Sequence, residues 1–349
     1  MQTMTAWIGA GALWVAAVAI AEDDYPIHVY PVPAAEAPLT VDGKLDEPAW
    51  QTAPVVSGFT LFGKPDLAPV QTSFRVLYDR ENLYLGIVCD EPEMGKLSPV
   101  THARDEHGVF SAEAVEIFLD PGHTHDLYYQ SAVSSAGSLY DSEKENPVWN
   151  GNTRVGVSLG KDAWSLEVAF AWKDFGVTPE TGAIVGLNIC RDRQIGEARQ
   201  WSNWARVKGG FHDPVRFGHL VLSGTPELIA KLASEFRKGD RTGPVLVFSA
   251  EGFSQTTYAA LAAQGTADLE KLLTDLDAER QQEKDAAAAT ELSKRLEQFR
   301  QRVTEMQAEG KGKLDAATWT KLDIRIQQTM AQLRQSVWEA RLSALLSGI

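Results

Sequence analysis

The chain has 349 residues and a formal net charge of -14 at pH 7. This length allows one sizeable domain together with a second, smaller one. The acidic balance argues against a nucleic-acid partner and against docking on an anionic membrane, since like charges repel.

The N-terminal part contains a continuous apolar run, AWIGAGALWVAAVAIA (6–21), which is shorter than a membrane-spanning helix. It ends in Ala19-Ile20-Ala21, a small-residue cleavage pattern, and acidic residues follow. Because no Lys or Arg precedes the run, an N-terminal anchor is the alternative. We predict a signal peptide over residues 1–21, cleaved after Ala21, and therefore a secreted or periplasmic protein.

Short apolar segments separated by turn residues continue to about residue 223. TSFRVLYDRENLYLGIVCDEP (72–92) and TRVGVSLGKDAWSLEVAFAW (153–172) each read as two strands around a polar turn. Such spacing predicts an all-β antiparallel sandwich of immunoglobulin-like or jelly-roll type. Cys89 and Cys190 lie in strand-like runs, where they either pair or remain as two buried thiols.

The segment EAVEIFLDPG (113–122) is predicted to be a strand with a carboxylate inside its most apolar part. Successive side chains of a strand point to opposite faces. Val115, Ile117 and Leu119 therefore share one face, and Glu116 lies on the other. The segment alone does not explain why so apolar a strand carries a carboxylate beside Phe118 on this face.

Beyond residue 224 the pattern becomes helical. TPELIAKLASEFRKG (225–239) has the signals of a capped helix, whereas GPVLVFSAEGFS (243–254) reads as either a strand or a linker. We therefore predict a helix and linker over 224–268 and an antiparallel helical hairpin or coiled coil over 269–349. The hairpin has a heptad seam that consists of Leu292, Leu296, Phe299, Val303 and Met306. This seam packs against the return helix, a second copy of the chain or the sandwich.

Seven stretches resemble, in the correct order, the family 9 carbohydrate-binding modules and the related DOMON-type sandwiches. The resemblance covers about residues 30–223. It rests on LTVDGKLDEPAW, LYDRENLYLGIVCDEP, EAVEIFLDPG, SLEVAFAWKDFG, GAIVGLNICRDR, QWSNWA and DPVRFGHLVL. It implies a β-sandwich that binds oligo- or polysaccharide in a cleft, commonly with structural calcium, within an exported polysaccharide-degrading system.

The resemblance also implies site residues. Glu116 matches the family's sheet-face carboxylate, and Phe110 and Phe211 fall where the family has stacking tryptophans. Ala132 and Cys190 stand where sugar-binding members carry an arginine and a polar amide. Trp204, outside the matched pattern, is a candidate replacement platform.

Other interpretations of these residues remain open. Glu116 could instead form a structural ion pair with Arg191 or Arg193, and Phe110 and Phe211 could be core residues. The remaining tryptophans in strand or helix patterns are predicted to be core residues: Trp50, Trp164, Trp172 and Trp201.

Metal chemistry is suggested by oxygen-rich and histidine-rich loops. LDPGHTHD and HARDEHG indicate Asp105, Glu106, Asp120 and Asp126 as calcium ligands. His123 and His125 form an H-x-H pair without a clear third ligand, which favours solvent-facing loop histidines. DOMON-type haem relatives use His and Met, and Met94 is the one methionine of the sandwich region outside the signal segment.

No catalytic motif is present in the sequence, and Glu113 and Glu116 point to opposite faces of one strand, so they cannot act as a glycosidase pair. We predict a non-enzymatic carbohydrate-binding protein that is associated with glycoside hydrolases. The alternative is a scaffold or protein-interaction module that has lost sugar binding and assembles through its helical tail. A glycosidase or haem-binding relative ranks third.

Overall fold

A computed structural model of the chain describes residues 26–196, 199–238, 241, 243–253 and 256–347. The predicted signal peptide lies outside the described residues and stays a prediction. Within the described part, no helix combines the length and the apolarity needed to cross a membrane.

The described residues form a β-rich region followed by a helical region. The strands are β1 (Ile27–Val32), β2 (Thr60–Leu61), β3 (Thr72–Tyr78), β4 (Asn82–Asp90), β5 (Ala114–Asp120), β6 (Tyr129–Ser134), β7 (Leu139–Glu143), β8 (Arg154–Leu159), β9 (Ala163–Ala171), β10 (Ile184–Arg193), β11 (Gln200–Asn203), β12 (Gly218–Leu222), β13 (Val245–Val247), β14 (Gly252–Phe253) and β15 (Thr256–Thr257). The α-helices are α1 (Pro226–Lys231), α2 (Tyr258–Gln282), α3 (Ala286–Gly310) and α4 (Ala316–Ser347).

Two sheets pack into a sandwich-like unit. The larger sheet has the order β13–β1–β12–β10–β5–β6–β7, and β11 and β2 extend it beside β10; the smaller sheet has the order β3–β4–β9–β8. Neighbouring strands are antiparallel, except that β1 is parallel to both β12 and β13. The β-sandwich prediction is confirmed, whereas this strand order does not confirm an immunoglobulin-like or jelly-roll type.

The main core lies between the two sheets. Val115, Ile117 and Leu119 of β5 enter it together, as the alternation along this strand predicts. Their burial removes apolar surface from water, which contributes about 25 cal/mol per Å². Cys89 and Cys190 are buried free thiols, so the alternative without a disulfide is the one observed.

The sandwich extends beyond residue 223, where the sequence analysis ended it. Ile229 of α1 and the following Phe236 pack against the outer face of β1 and β12. β13 then pairs with β1, and Phe248 reaches the core between the sheets. The predicted helix and linker over 224–268 is therefore wrong as a unit, because its first part completes the sandwich and its last part begins α2.

Three long helices form the C-terminal part of the described chain, in place of the predicted hairpin. α2 ends before Glu283, whose backbone is extended, and α3 begins after Asp285. The Asp285 carboxylate accepts the N–H groups of Ala287 and Ala288 at 2.7 and 2.8 Å. The residues predicted as a heptad seam are buried, as predicted, but they share one core with both α2 and α4.

Candidate functional site

Glu116 lies on the face of β5 that points away from the main core. Directly opposite it are Ala132 on β6 and Cys190 on β10. Opposite residues of antiparallel strands share a face, so a methyl group and a thiol flank the carboxylate. The β5–β10 face denotes the surface around these three residues.

The Glu116 side chain forms a carboxyl pair with Asp192 of β10, and the two groups hydrogen-bond to each other. Both residues are almost buried, at 6 % and 3 % exposed, and Gln130 donates its amide to Glu116 Oε2 at 2.5 Å. Burial, and then the negative charge of Glu116, raise the pKa of Asp192 to about 9. Burial also raises the pKa of Glu116, against which the hydrogen bonds from Asp192 and Gln130 act. At neutral pH the pair therefore keeps the proton of Asp192, shared through this hydrogen bond.

The two arginines of β10 point to the opposite face. Arg191 donates to Glu113 at 2.7 and 3.0 Å, and Arg193 donates to Glu91 at 2.7 and 2.8 Å. The interpretation of Glu116 as the partner of Arg191 or Arg193 is therefore wrong. Glu113 and Glu116 do lie on opposite faces, as the spacing predicts, because Glu113 belongs to the arginine cluster.

Phe110 flanks the β5–β10 face on the β6 side. It belongs to a short 3₁₀ helix, His107–Ser111, and is half-buried. Its ring packs edge-on against Tyr140 of β7, with centroids 4.9 Å apart, and contacts the cluster that contains Ala114 and Ala132. Both alanines lie on the same face as Glu116, so Phe110 forms one wall beside the carboxyl pair.

Phe211 flanks the same face on the opposite side. This half-buried residue lies in the loop between β11 and β12, where its ring packs edge-on against Phe62 at 5.1 Å and approaches Phe118 at 6.4 Å. Phe211 packs against a buried cluster that includes Phe118 and Cys190, and both of these lie on the same face as Glu116. The structure thus brings Phe110, Glu116 and Phe211 onto one surface.

The two tryptophans of QWSNWA have the reverse of their predicted roles. Trp204 is 0 % exposed and packs in the main core against Phe74, with centroids 4.9 Å apart. Its predicted role as a sugar platform is therefore wrong. Trp201, predicted to be a core residue, is 45 % exposed and lies directly opposite Asp192. Alternation along β11 was the available signal, since residues three apart in a strand point to opposite faces.

A family model described as carbohydrate family 9 binding domain-like matches residues 41–225. This region is more than half of the chain and contains the strands of the sandwich from β2 to β12. The chain belongs to the carbohydrate family 9 binding domain-like family. The earlier resemblance over residues 30–223 is thereby confirmed.

Individual members of the family are distant from this chain. Endo-1,4-beta-xylanase A of Thermotoga neapolitana is 24% identical over 193 residues, which are 52% of this chain and 17% of that protein. Among solved structures, a family 9 carbohydrate-binding module of Caldicellulosiruptor kristjanssonii in complex with cellotriose is 17% identical, with a TM-score of 0.43 and coverage of 57% of this chain and 95% of that one. Its glucose complex is 16% identical, with a TM-score of 0.44 and coverage of 56% and 97%.

The family 9 resemblance implies a calcium ion, for which the sequence predicts four ligands. They do not meet: Asp120 accepts the N–H groups of Thr124 and His125 with its two oxygens, and Asp126 pairs with Lys144. Among the described residues, no three His, Cys, Asp or Glu side chains come together in a way that could hold a metal ion. The remaining two also accept backbone N–H groups, Asp105 from Asp141 of β7 and Glu106 from Ala103 of its own loop. These residues therefore do not fit one calcium site.

His123 of the H-x-H pair belongs to a hydrogen-bonded chain, and the His125 ring packs against it with centroids 4.5 Å apart. Arg241 donates to Nε2 of buried His219 at 2.9 Å, so the proton of His219 sits on Nδ1 and points to Nε2 of His123 at 3.0 Å. Burial, and then neighbouring cations, lower the pKa of His123 to about 4. Contrary to the prediction, this pair is half-buried and not solvent-facing. Met94, the one methionine that a haem-binding relative could use, packs against the main core.

Proposed function

We propose that the sandwich binds a saccharide non-covalently on the β5–β10 face. The observation that carries the proposal is a buried carboxyl pair that lies between two aromatic walls, one at Phe110 and one at Phe211. Aromatic rings stack on the apolar C–H faces of a pyranose, and carboxylates accept its hydroxyl groups. The family of the chain supports the same function.

The side chains of this face have separate roles in the proposal. Glu116 accepts a sugar hydroxyl, Asp192 donates or accepts through the shared proton, and Gln130 holds Glu116 in position. Phe110, Phe211 and the exposed Trp201 supply the stacking surfaces.

Binding without catalysis is favoured by the geometry of the carboxyl pair. Glycosidase carboxyl groups stand about 5 Å or more apart so that the glycosidic bond fits between them. Glu116 and Asp192 hydrogen-bond directly, which leaves no such space. The pair therefore suits recognition of a sugar better than hydrolysis.

The cellular setting belongs to the same proposal. We infer a secreted or periplasmic protein, from the N-terminal run that ends at Ala21, which works within a polysaccharide-degradation system. The three C-terminal helices would position the sandwich or join several copies, and joined copies bind a polymer more tightly through effective concentration.

A glycan array, followed by titration calorimetry on the best ligand, tests the proposal. Glu116→Gln keeps the side-chain shape but removes the charge, and we expect it to weaken binding about tenfold, since a hydrogen bond to a charged group contributes about 1.5–3 kcal/mol. Glu180→Gln is the matched control, because exposed Glu180 lies in the turn before β10. Its affinity should equal that of the unmodified chain.

Two results would count against the proposal. If both substitutions weakened glycan binding equally, Glu116 would not belong to the site. If no glycan on the array bound, the scaffold alternative would be favoured. In the second case, sedimentation should show self-association that disappears when residues 269–349 are removed.

A further inference from the structure

The carboxyl pair on the β5–β10 face has no cationic partner within the described chain. The groups that act on Asp192 are the carboxyls of Glu116 and Glu113, and those that act on Glu116 are Asp192 and Gln130. The β10 arginines are engaged on the other face. A buried pair of acids without a cation is costly, so a positively charged ligand group would be stabilised there.

A second acceptor on this face also lacks a partner. Asn203 of β11 is 1 % exposed and lies directly opposite Cys190, on the side of β10 away from Glu116. Its amide donates to the Ala205 carbonyl at 2.8 Å, but its Oδ1 atom has no hydrogen-bond partner in the described structure. A buried acceptor without a donor costs about 1–3 kcal/mol. The face therefore has an excess of acceptors over donors.

An exposed aromatic surface adjoins these acceptors. Trp201 is paired directly with Asp192 across β10 and β11. An indole ring attracts both the C–H face of a pyranose and a nearby ammonium group. A sugar stacked on Trp201 would therefore place one of its ring substituents beside Asp192.

We propose that the β5–β10 face selects amino sugars, with the sugar ammonium group seated at Asp192 and Glu116 and the ring stacked on Trp201. An ammonium group supplies both the missing positive charge and three hydrogen-bond donors. This proposal rests on the proposed saccharide binding and specifies its ligand class.

Three tetrasaccharides that differ only at C2 test the selection: the β-1,4-linked tetramers of glucosamine, N-acetylglucosamine and glucose. Titration of the full chain at pH 6 and about 0.15 M salt should show the glucosamine tetramer binding at least tenfold more tightly than the other two. Glu116→Gln, which removes the negative charge of the pair, should reduce this preference to less than about threefold. Glu180→Gln, which removes one negative charge elsewhere, should leave the preference unchanged.

Each other outcome has a definite meaning. If the glucose or N-acetylglucosamine tetramer binds as tightly as the glucosamine tetramer, the amino-sugar proposal is overturned and saccharide binding stands. If the preference for the glucosamine tetramer fell equally in the site variant and in Glu180→Gln, it would reflect only the net charge of the chain. That result would also overturn the amino-sugar proposal. If no tetramer binds and the glycan array is silent, both proposals fail.

A folding defect in Glu116→Gln would not remove the test. The comparison of the three ligands needs no variant, and Trp201→Ala changes an exposed side chain. Trp201→Ala should weaken the glucosamine tetramer at least fivefold while circular dichroism and the melting temperature stay unchanged. Unchanged binding in this folded variant would overturn the seating on Trp201.

Discussion

At the scale of single residues, the carboxyl pair links folding stability to proton uptake. The pKa of Asp192 is about 9 in the folded chain, whereas in the unfolded chain a carboxyl of this type has its ordinary pKa of 3.8. Between these values the folded state binds more protons than the unfolded state. The free energy of unfolding therefore falls as the pH rises through this window, by up to about 1.4 kcal/mol per pH unit for one group.

Asp192→Asn should remove this dependence, since an amide carries no proton that ionises. We expect the variant to gain stability relative to the unmodified chain as the pH is raised from 5 to 9, and to differ least at pH 5. Urea unfolding at several pH values measures the difference, with Glu180→Gln as the control. If the free energy of unfolding varied with pH in the same way in the unmodified chain and in Asp192→Asn, Asp192 would already be ionised at pH 5.

At the scale of elements, spacing and alternation predicted which faces are buried but not where every element ends. The heptad positions of α3 are buried as predicted. The break between α2 and α3 was missed because Glu283, Lys284 and Asp285 are ordinary helix-surface residues. Asp285 ends the run by capping the next helix, a role that the same residue type does not play inside a helix.

The buried seam of α3 gives a direct test of the three-helix arrangement. Leu296→Ala leaves a cavity among all three helices, and we expect a loss of about 2–5 kcal/mol in the free energy of unfolding. Urea unfolding followed by the helical circular dichroism signal measures it. The neighbouring exposed Glu297→Ala should change the value by less than about 0.5 kcal/mol. Equal effects would mean that Leu296 is not buried in the bundle.

At the scale of the whole molecule, the sandwich needs chain that lies beyond the family match. The family model ends at residue 225, but Ile229 and Phe236 cover the outer face of β1 and β12, and Phe248 fills part of the main core. β13 also pairs with β1 and so protects an edge strand, which would otherwise be open to association.

Two fragments distinguish these boundaries. A fragment of residues 26–223 should be less stable than one of residues 26–253 by at least about 3 kcal/mol, because it loses buried Phe236 and Phe248. Thermal unfolding followed at the tryptophan signal compares them. Equal melting temperatures would place the true end of the sandwich at residue 223.

The sequence by itself determined the order of a β region and a helical region, the two faces of β5, the buried positions of α3 and the family. The first three features depend on local periodicity, which is a property of each segment alone, whereas the family follows from the seven matching stretches. The sequence, through the family resemblance, also predicted Phe110, Glu116 and Phe211 as site residues, and the structure brings them onto one surface.

Only the tertiary structure decided that Asp192 is the partner of Glu116, that Trp201 and not Trp204 is exposed, and that the predicted calcium ligands stay apart. Each of these depends on the register between strands that are distant in the chain. Register is set by packing of the whole core, so no single segment contains it. The proposed amino-sugar site follows from that register, because β10 places Asp192 between Glu116 on one side and Trp201 on the other.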